Sequence, residues 1–429
     1  ILVVELHSIA REFHSTVSVI SWSLTGPMLA FGVVGPAYGK AGDLWGHKRV
    51  FVFGLLGAGT FAALTSIAWS AASMVSFRIL SATFGAATGP SAMAYINRLF
   101  PPDERVRPLG YWSFVNAGAP VIGVVAGAPL VDALGWRMIF VIQAPLCFVG
   151  ALVAWTLLPD TERIPGVQFD LKGSFTLGAA ALMLLGGINQ GPKWGWTNPV
   201  IIGLLVGSVL LLLVFVRIER IAAAPLLPLR WTRTRNIVFP VASQAFANFA
   251  YMGGLLLSPL VMGEILGWDT GRISLVIIAR PLTFALVAPL ASLVTIRVGE
   301  RLSAITGWLC IVGSMLLFML VDETTGVLVV IAALALSGAG FGISGPALTS
   351  LVANAVDERD LGVAGAMQQL LNQMGSVTGS VVMNTIQAAT LSLGLVESYR
   401  VTFAVAACVA GVAVVLSSFV RPTPRVFSS

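Results

Sequence analysis

Charge is what this sequence has least of. Of its 429 residues only 10% are Asp, Glu, Lys or Arg, while 57% are hydrophobic. Soluble domains carry about 25% charged residues. So few charges cannot coat a water-soluble protein of this length, so lipid must solvate much of it. Cysteine is scarce too. Cys147, Cys310 and Cys408 all lie inside apolar runs, which excludes a disulfide framework and a metal-ligand spacing. His7, His14 and His47 are scattered, which argues against a His-rich metal site. No nucleotide loop is present. Gly35-Pro36-Ala37-Tyr38-Gly39-Lys40-Ala41 has the wrong spacing and no Ser or Thr after its lysine, so no ATP is expected. The opening residues do not read as a signal peptide with a small-residue cleavage site. The chain opens on Ile1 inside an apolar run, which reads as a trimmed N-terminus.

What is present is a series of apolar stretches near 20 residues, the length that crosses a bilayer as a helix. They fall at about 18–38, 50–70, 72–97, 108–131, 138–158, 171–190, 198–217, 237–263, 272–294, 303–321, 326–351, 362–388 and 398–420, after a partial helix at 1–10. If the break at 39–49 is cytoplasmic, the intervening Lys and Arg sort by side. Lys40, Lys48, Arg49, Arg98, Arg105, Arg107, Arg217, Arg220, Arg230, Arg233, Arg235, Arg297, Arg301 and Arg421 fall on one side with a few others. Only Arg11, Arg137, Lys193, Arg272 and Arg400 fall opposite. The formal charge of +6 is therefore a topology signal, and no nucleic-acid partner is expected. The expected location is a bacterial-type inner (plasma) membrane, multi-pass, with a cytoplasmic C-terminus.

The chain also repeats. Asp103-Glu104-Arg105 precedes Leu109-Gly110, as Asp357-Glu358-Arg359 precedes Leu361-Gly362. Gly110, Gly123 and Gly127 superpose on Gly362, Gly375 and Gly379. Two parallel halves fit this, and parallel repeats build several secondary transporters with a midplane site between them. The expected units are an N-terminal bundle at 1–158, with its first helix incomplete, two additional helices with linkers at 159–235, and a C-terminal bundle at 236–429.

Gly39-Lys40-Ala41-Gly42-Asp43-Leu44-Trp45-Gly46-His47-Lys48-Arg49 resembles the loop signature of the major facilitator superfamily, with Leu44 where the family has Arg. Phe169-Asp170-Leu171-Lys172-Gly173, Trp194-Gly195-Trp196 and the helix count resemble its fourteen-helix drug:proton antiporter branch. The resemblance implies an all-α membrane fold of two pseudo-symmetric six-helix bundles plus two linker helices. It implies no cofactor, with transport driven by the proton gradient.

Gly39, Asp43, Gly46, His47, Lys48 and Arg49 are the candidate conformational latch. Glycine permits tight turns and close backbone approach. Asp43 could face an arginine or the positive end of a helix in one state only, or simply lie in a solvated loop. Ile296 stands at the equivalent place in the second half. An arginine inside a span is costly and usually functional. By resemblance, Arg78 couples proton movement to conformational change; its alternative is snorkelling to the interface. Glu5 is a candidate proton carrier or an interfacial carboxylate near Arg11. Gly110, Gly123 and Gly127 mark the antiporter-type helix, where Val124 stands in place of the signature proline. Trp22, Asn116, Gln143, Asn248, Arg280, Gln369 and Asn372 could line a substrate path or bond between helices. The leading expectation is a proton-coupled exporter of amphipathic or lipophilic small molecules working by alternating access. The alternatives are an exporter of an endogenous lipid or metabolite and, remotely, a membrane-embedded enzyme.

Overall fold

Each apolar run folds as a helix because lipid offers no partner to backbone N–H and C=O groups, and only a helix satisfies them within one segment. The computed structural model describes residues 6–101, 104–160, 171–222, 229–357 and 360–421. Its helices are α1 (Leu6–Glu12), α2 (Val17–Trp45), α3 (His47–Ser66), α4 (Ala71–Gly85), α5 (Thr88–Leu99), α6 (Val106–Leu134), α7 (Arg137–Leu157), α8 (Leu171–Trp194) and α9 (Pro199–Ile221). There follow α10 (Arg235–Glu264), α11 (Thr270–Ile277), α12 (Ala279–Val298), α13 (Glu300–Met319), α14 (Val327–Asn354), α15 (Leu361–Ala389) and α16 (Leu395–Ser418). No strand occurs among the described residues. Eight spans among the described residues are long and apolar enough to cross a membrane.

Two expected spans are interrupted. The 72–97 run divides into α4 and α5 around Ala86 and Ala87, and the 272–294 run into α11 and α12 at Ile278. Proline explains both. Pro90 and Pro281 lack the N–H that would bond the carbonyls of Ala86 and Ile277 four residues earlier. The 39–49 segment is not a loop. α2 runs to Trp45 and α3 starts at His47, leaving only Gly46 between them. Gly46 makes the corner with φ of +93°, a conformation that glycine adopts freely.

The outer surface is apolar, and the interior mixes apolar residues with many small hydroxyl side chains. Phe175, Leu157, Ile221 and Leu328 face outward, while Ser243, Ser292, Ser303, Ser314, Ser344, Thr295 and Thr402 are buried. Without a hydrophobic drive between helices, small residues and local hydrogen bonds set the packing. Gly375 and Gly379 of α15 approach α10 so closely that a Cβ on either would lie 2.2 Å from the carbonyl oxygen of Ala245 or Phe249. α10 and α12–α16 pack densely around Trp308, Met315, Phe318, Tyr399 and Phe403. α2–α7 pack among themselves, and α8 joins α9 to α2 and α15. The two sets meet where α2 crosses α15 and where α6 crosses α12 and α14.

Candidate functional site

The crossing of α2 with α15 is built on two glycines. A Cβ on Gly39 would lie 2.4 Å from the Gly362 carbonyl oxygen, and one on Gly362 would lie 2.7 Å from the Gly39 carbonyl oxygen. That approach brings Asp43, on the last turn of α2, against the first turn of α15. Asp43 Oδ1 lies 3.1 Å from where a Gly362 Cβ would stand. A carboxylate at a helix N-terminus is favoured by the helix dipole. Asp43 is buried, and its Oδ1 also receives Arg98 Nη2 at 3.1 Å and lies 3.0 Å from His47 Nε2. Arg98, at the end of α5, supplies the cation that the family pattern places at Leu44. The spacing of the motif gives no hint of it, because it arrives from 55 positions away.

Lys48 and Arg49 do not join this cluster. Lys48 lies over the Trp155 ring and 3.6 Å from Asp160, and Arg49 is exposed. The reason is helical geometry: α3 starts at His47, so successive side chains leave the corner in different directions.

A second grip crosses between the same two sets of helices. Buried Arg105, just before α6, donates through Nη1 to Asn354 Oδ1 at 2.7 Å and to the Ala353 carbonyl at 3.5 Å. Both acceptors close the C-terminus of α14, where a cation is favoured. One set of helices therefore holds both ends of a single connection, with Arg105 on the negative end of α14 and Asp43 on the positive end of α15. Gly110 completes the closure. Its Cβ position lies 2.7 Å from Ser292 Oγ and 2.9 Å from the Ala288 carbonyl of α12. Further along the same crossing, Gly118 comes no nearer than 3.9 Å to Ala285. α6 and α12 are thus pressed most tightly at the Gly46 end and are in ordinary contact two turns further on.

Gly123 has nothing within 4 Å of its Cβ position. It therefore makes no close helix approach to the described residues. Its counterpart Gly375 packs on α10, and the matching helix before α2 is described only over Leu6–Glu12. Gly127 lies on α6, in a stretch whose surroundings fall outside the description. Glu5 lies outside the described residues.

Arg78 sits on α4, half-buried. Its Nε donates to the Ser23 carbonyl at 3.3 Å, and its guanidinium lies over the Phe140 ring. Arg280 opens α12 just past the helix break. It is fully buried, with Nη1 on the Tyr251 carbonyl at 3.1 Å.

The polar path residues divide. On α15, Gln369, Asn372 and Gln373 share one face by helical spacing. Gln369 reaches Gly89, and Gln373 donates to the Met28 carbonyl at 3.3 Å. Asn372 has a buried Oδ1 without a partner. Asn248 on α10 is held by Ser376 and by its own helix. Asn116 is exposed and bonds the Trp112 carbonyl of its own helix at 2.9 Å. Gln143 is half-buried on α7, and Trp22 packs against the Leu29, Leu185 and Val377 cluster. Asn116 and Gln143 therefore do not gather with the α15 face, whereas Trp22 packs one turn beyond Gln373, against Val377.

The sequence profile of the Major Facilitator Superfamily matches residues 1–173 and 241–429. The tetracenomycin C resistance and export protein of Streptomyces glaucescens is 27% identical over 386 residues, spanning 89% of this chain and 71% of the relative. A puromycin resistance protein of Streptomyces alboniger is 30% identical over 413 residues, spanning 92% and 79%. A multidrug transporter of Bacillus subtilis is 26% identical over 373 residues, spanning 87% and 69%. Among solved structures, a human organic anion transporter superposes with a TM-score of 0.67 at 17% identity, covering 96% of this chain and 88% of that one. A proton:xylose symporter gives 0.67 at 15%, covering 98% and 91%. With the family profile matched over both halves and relatives named for drug resistance and export, this chain belongs to the major facilitator superfamily of membrane transporters, and it is a transporter rather than an enzyme.

Proposed function

We propose that this protein is a proton-coupled exporter of amphipathic or lipophilic small molecules, of the fourteen-helix drug:proton antiporter branch, in the plasma membrane with its C-terminus in the cytoplasm. The relatives' names support the substrate class, since three of them denote resistance to, or transport of, drugs or antibiotics. The observation that carries the mechanism is the tight closure at the Gly46 end. Gly39 against Gly362, Asp43 against α15, Arg105 against α14 and Gly110 against α12 all lie at the Gly46 end. The sorting of Lys and Arg assigns that end to the cytoplasm. We therefore read this structure as the state closed to the cytoplasm. Charges buried only while that end is shut bias the equilibrium between two accessible states.

In this reading Arg78, which donates to a backbone carbonyl, helps couple proton movement to the change of state. Two half-bundles and an inserted helix pair, α8–α9, move about the α2–α15 and α6–α12 crossings. The proposal is tested in cells expressing the protein and loaded with a fluorescent lipophilic dye. Efflux should be faster than in empty-vector cells, stop on addition of an uncoupler and fall in the Asp43→Asn and Arg78→Ala variants. Efflux that continues without a proton gradient overturns the coupling.

A further inference from the structure

Arg280 is the charge that the latch and the proton reading leave unused. It lies about 6 Å from the midpoint of the α11–α12 span at 1.5 Å rise per residue. It stands just past Ile278, where that span is interrupted ahead of Pro281. Discontinuous helices near the midplane are a recurring way to build transporter sites, because broken backbone at that depth survives only where protein or a cavity surrounds it. The side chain is 1% exposed. Only Nη1 is bonded, and Nε and Nη2 have no hydrogen-bond partner. No carboxylate forms an ion pair with it among the described residues.

A guanidinium with two idle donors at membrane depth is costly unless something uses it. The surroundings say what fits. The Tyr251 ring lies 4.7 Å from its carbon, and Tyr251 leads to Phe341 and on to Trp308 and Phe284. Gly254 lies close beside Nη2, since a Cβ there would come within 3.3 Å of it and 3.0 Å of Met315 Cε. The result is a planar, fixed cation edged by aromatic rings, which suits bidentate contact with a carboxylate or phenolate on an aromatic frame.

We infer that Arg280 forms a subsite for the acidic group of lipophilic, aromatic organic acids, and that these, rather than lipophilic cations, are the preferred substrates. The inference rests on the exporter reading in one respect. The donors are enclosed in this state by Tyr251, Gly254 and Met315, all within one set of helices, so an acid would meet them only after a rearrangement inside that set during transport.

The test compares two probes of nearly equal shape and opposite charge, anthracene-9-carboxylate and 9-(aminomethyl)anthracene. Each is titrated by fluorescence anisotropy against the full chain in phosphatidylcholine nanodiscs, with empty discs subtracted. The expected result is at least tenfold tighter binding of the carboxylate by the unaltered protein. That preference should be lost in Arg280→Gln and Arg280→Met and partly kept in Arg280→Lys. Should the Arg280 variants fail to fold, Gly254→Ala retains the charge and crowds Nη2, and should weaken carboxylate binding severalfold with the ammonium unaffected. Equal binding of the two probes, a preference for the cation, or a carboxylate preference that survives Arg280→Gln overturns the inference. Uptake of neither probe into inverted vesicles, alongside Arg280-dependent binding of the carboxylate, would count against the exporter reading and leave the subsite standing.

Discussion

Replacing Gly39 with alanine is the most direct perturbation of the closed end. The added methyl would stand 2.4 Å from the Gly362 carbonyl oxygen, 2.8 Å from its carbon and 3.1 Å from Ala366 Cβ. Two of these atoms are backbone, so no side chain can turn aside. Overpacking of this kind costs about 1–3 kcal/mol. At about 1.4 kcal/mol per tenfold, the closed state loses roughly 5- to 150-fold in population relative to an open one. The cost falls on one state only, since the contact exists only when α2 and α15 meet. The assay is the distance between spin labels at Arg49 and Asp357, in a background with Cys147, Cys310 and Cys408 replaced. Gly39→Ala should add a longer-distance population and slow efflux. Gly35→Ala is the internal control, one turn away on the same helix. Its methyl meets the Ala366 carbonyl at an ordinary 3.9 Å, so it should leave both readouts unchanged. A Gly39→Ala protein with unaltered distances and unaltered efflux would refute the argument that this contact closes the protein.

Arg105→Ala and Asn354→Ala should each weaken the same closure, and a double-mutant cycle on the label distances should show coupling of about 1.5–3 kcal/mol, the worth of a hydrogen bond to a charged group. Additive effects would show that the pair is incidental. Arg98→Gln should reproduce most of the Asp43→Asn defect in efflux, whereas Arg49→Gln, outside the cluster, should leave efflux intact. In the α13–α14 connection, the Thr324 hydroxyl, with the Thr325 hydroxyl and the Thr324 N–H, holds the Asp322 carboxyl below its ordinary value. Because its folded value is depressed, its contribution is present at neutral pH and lost as pH falls through that lowered value. Thr324→Val should flatten the acid side of the melting-temperature profile, and an unchanged profile would exclude the contribution.

The sequence disclosed the spans because bilayer thickness imposes a length and charges sort by side, and both are local signals. It also flagged Asp43 and His47, which lie together, and the glycine repeat, but it grouped Lys48 and Arg49 with them although both point elsewhere. It misjudged the corner at Gly46, since polar residues such as Lys40 and Asp43 read as a loop although α2 carries them into the protein interior, where both are buried. It passed over the breaks before Pro90 and Pro281 because each lies within an otherwise continuous apolar run. The partners of Asp43 and Arg105 were illegible for a different reason. Arg98 is 55 positions from Asp43, and Asn354 is 249 from Arg105, and only tertiary packing brings either pair together. Asn116 and Gln143 show the converse: a polar side chain on an apolar helix reads the same whether it faces a path or, like Asn116, bonds its own backbone.

The central claim is coupling of substrate export to proton movement, and proteoliposomes containing only this protein, with no nucleotide present, test it most directly. An acid-inside pH gradient should drive uptake of a substrate into vesicles whose protein faces inside out, and adding substrate should in turn release trapped protons, as followed by an internal pH dye. Gly39→Ala should slow both movements together. Substrate uptake that is indifferent to the gradient, or uptake that leaves the internal pH unchanged, would contradict the account.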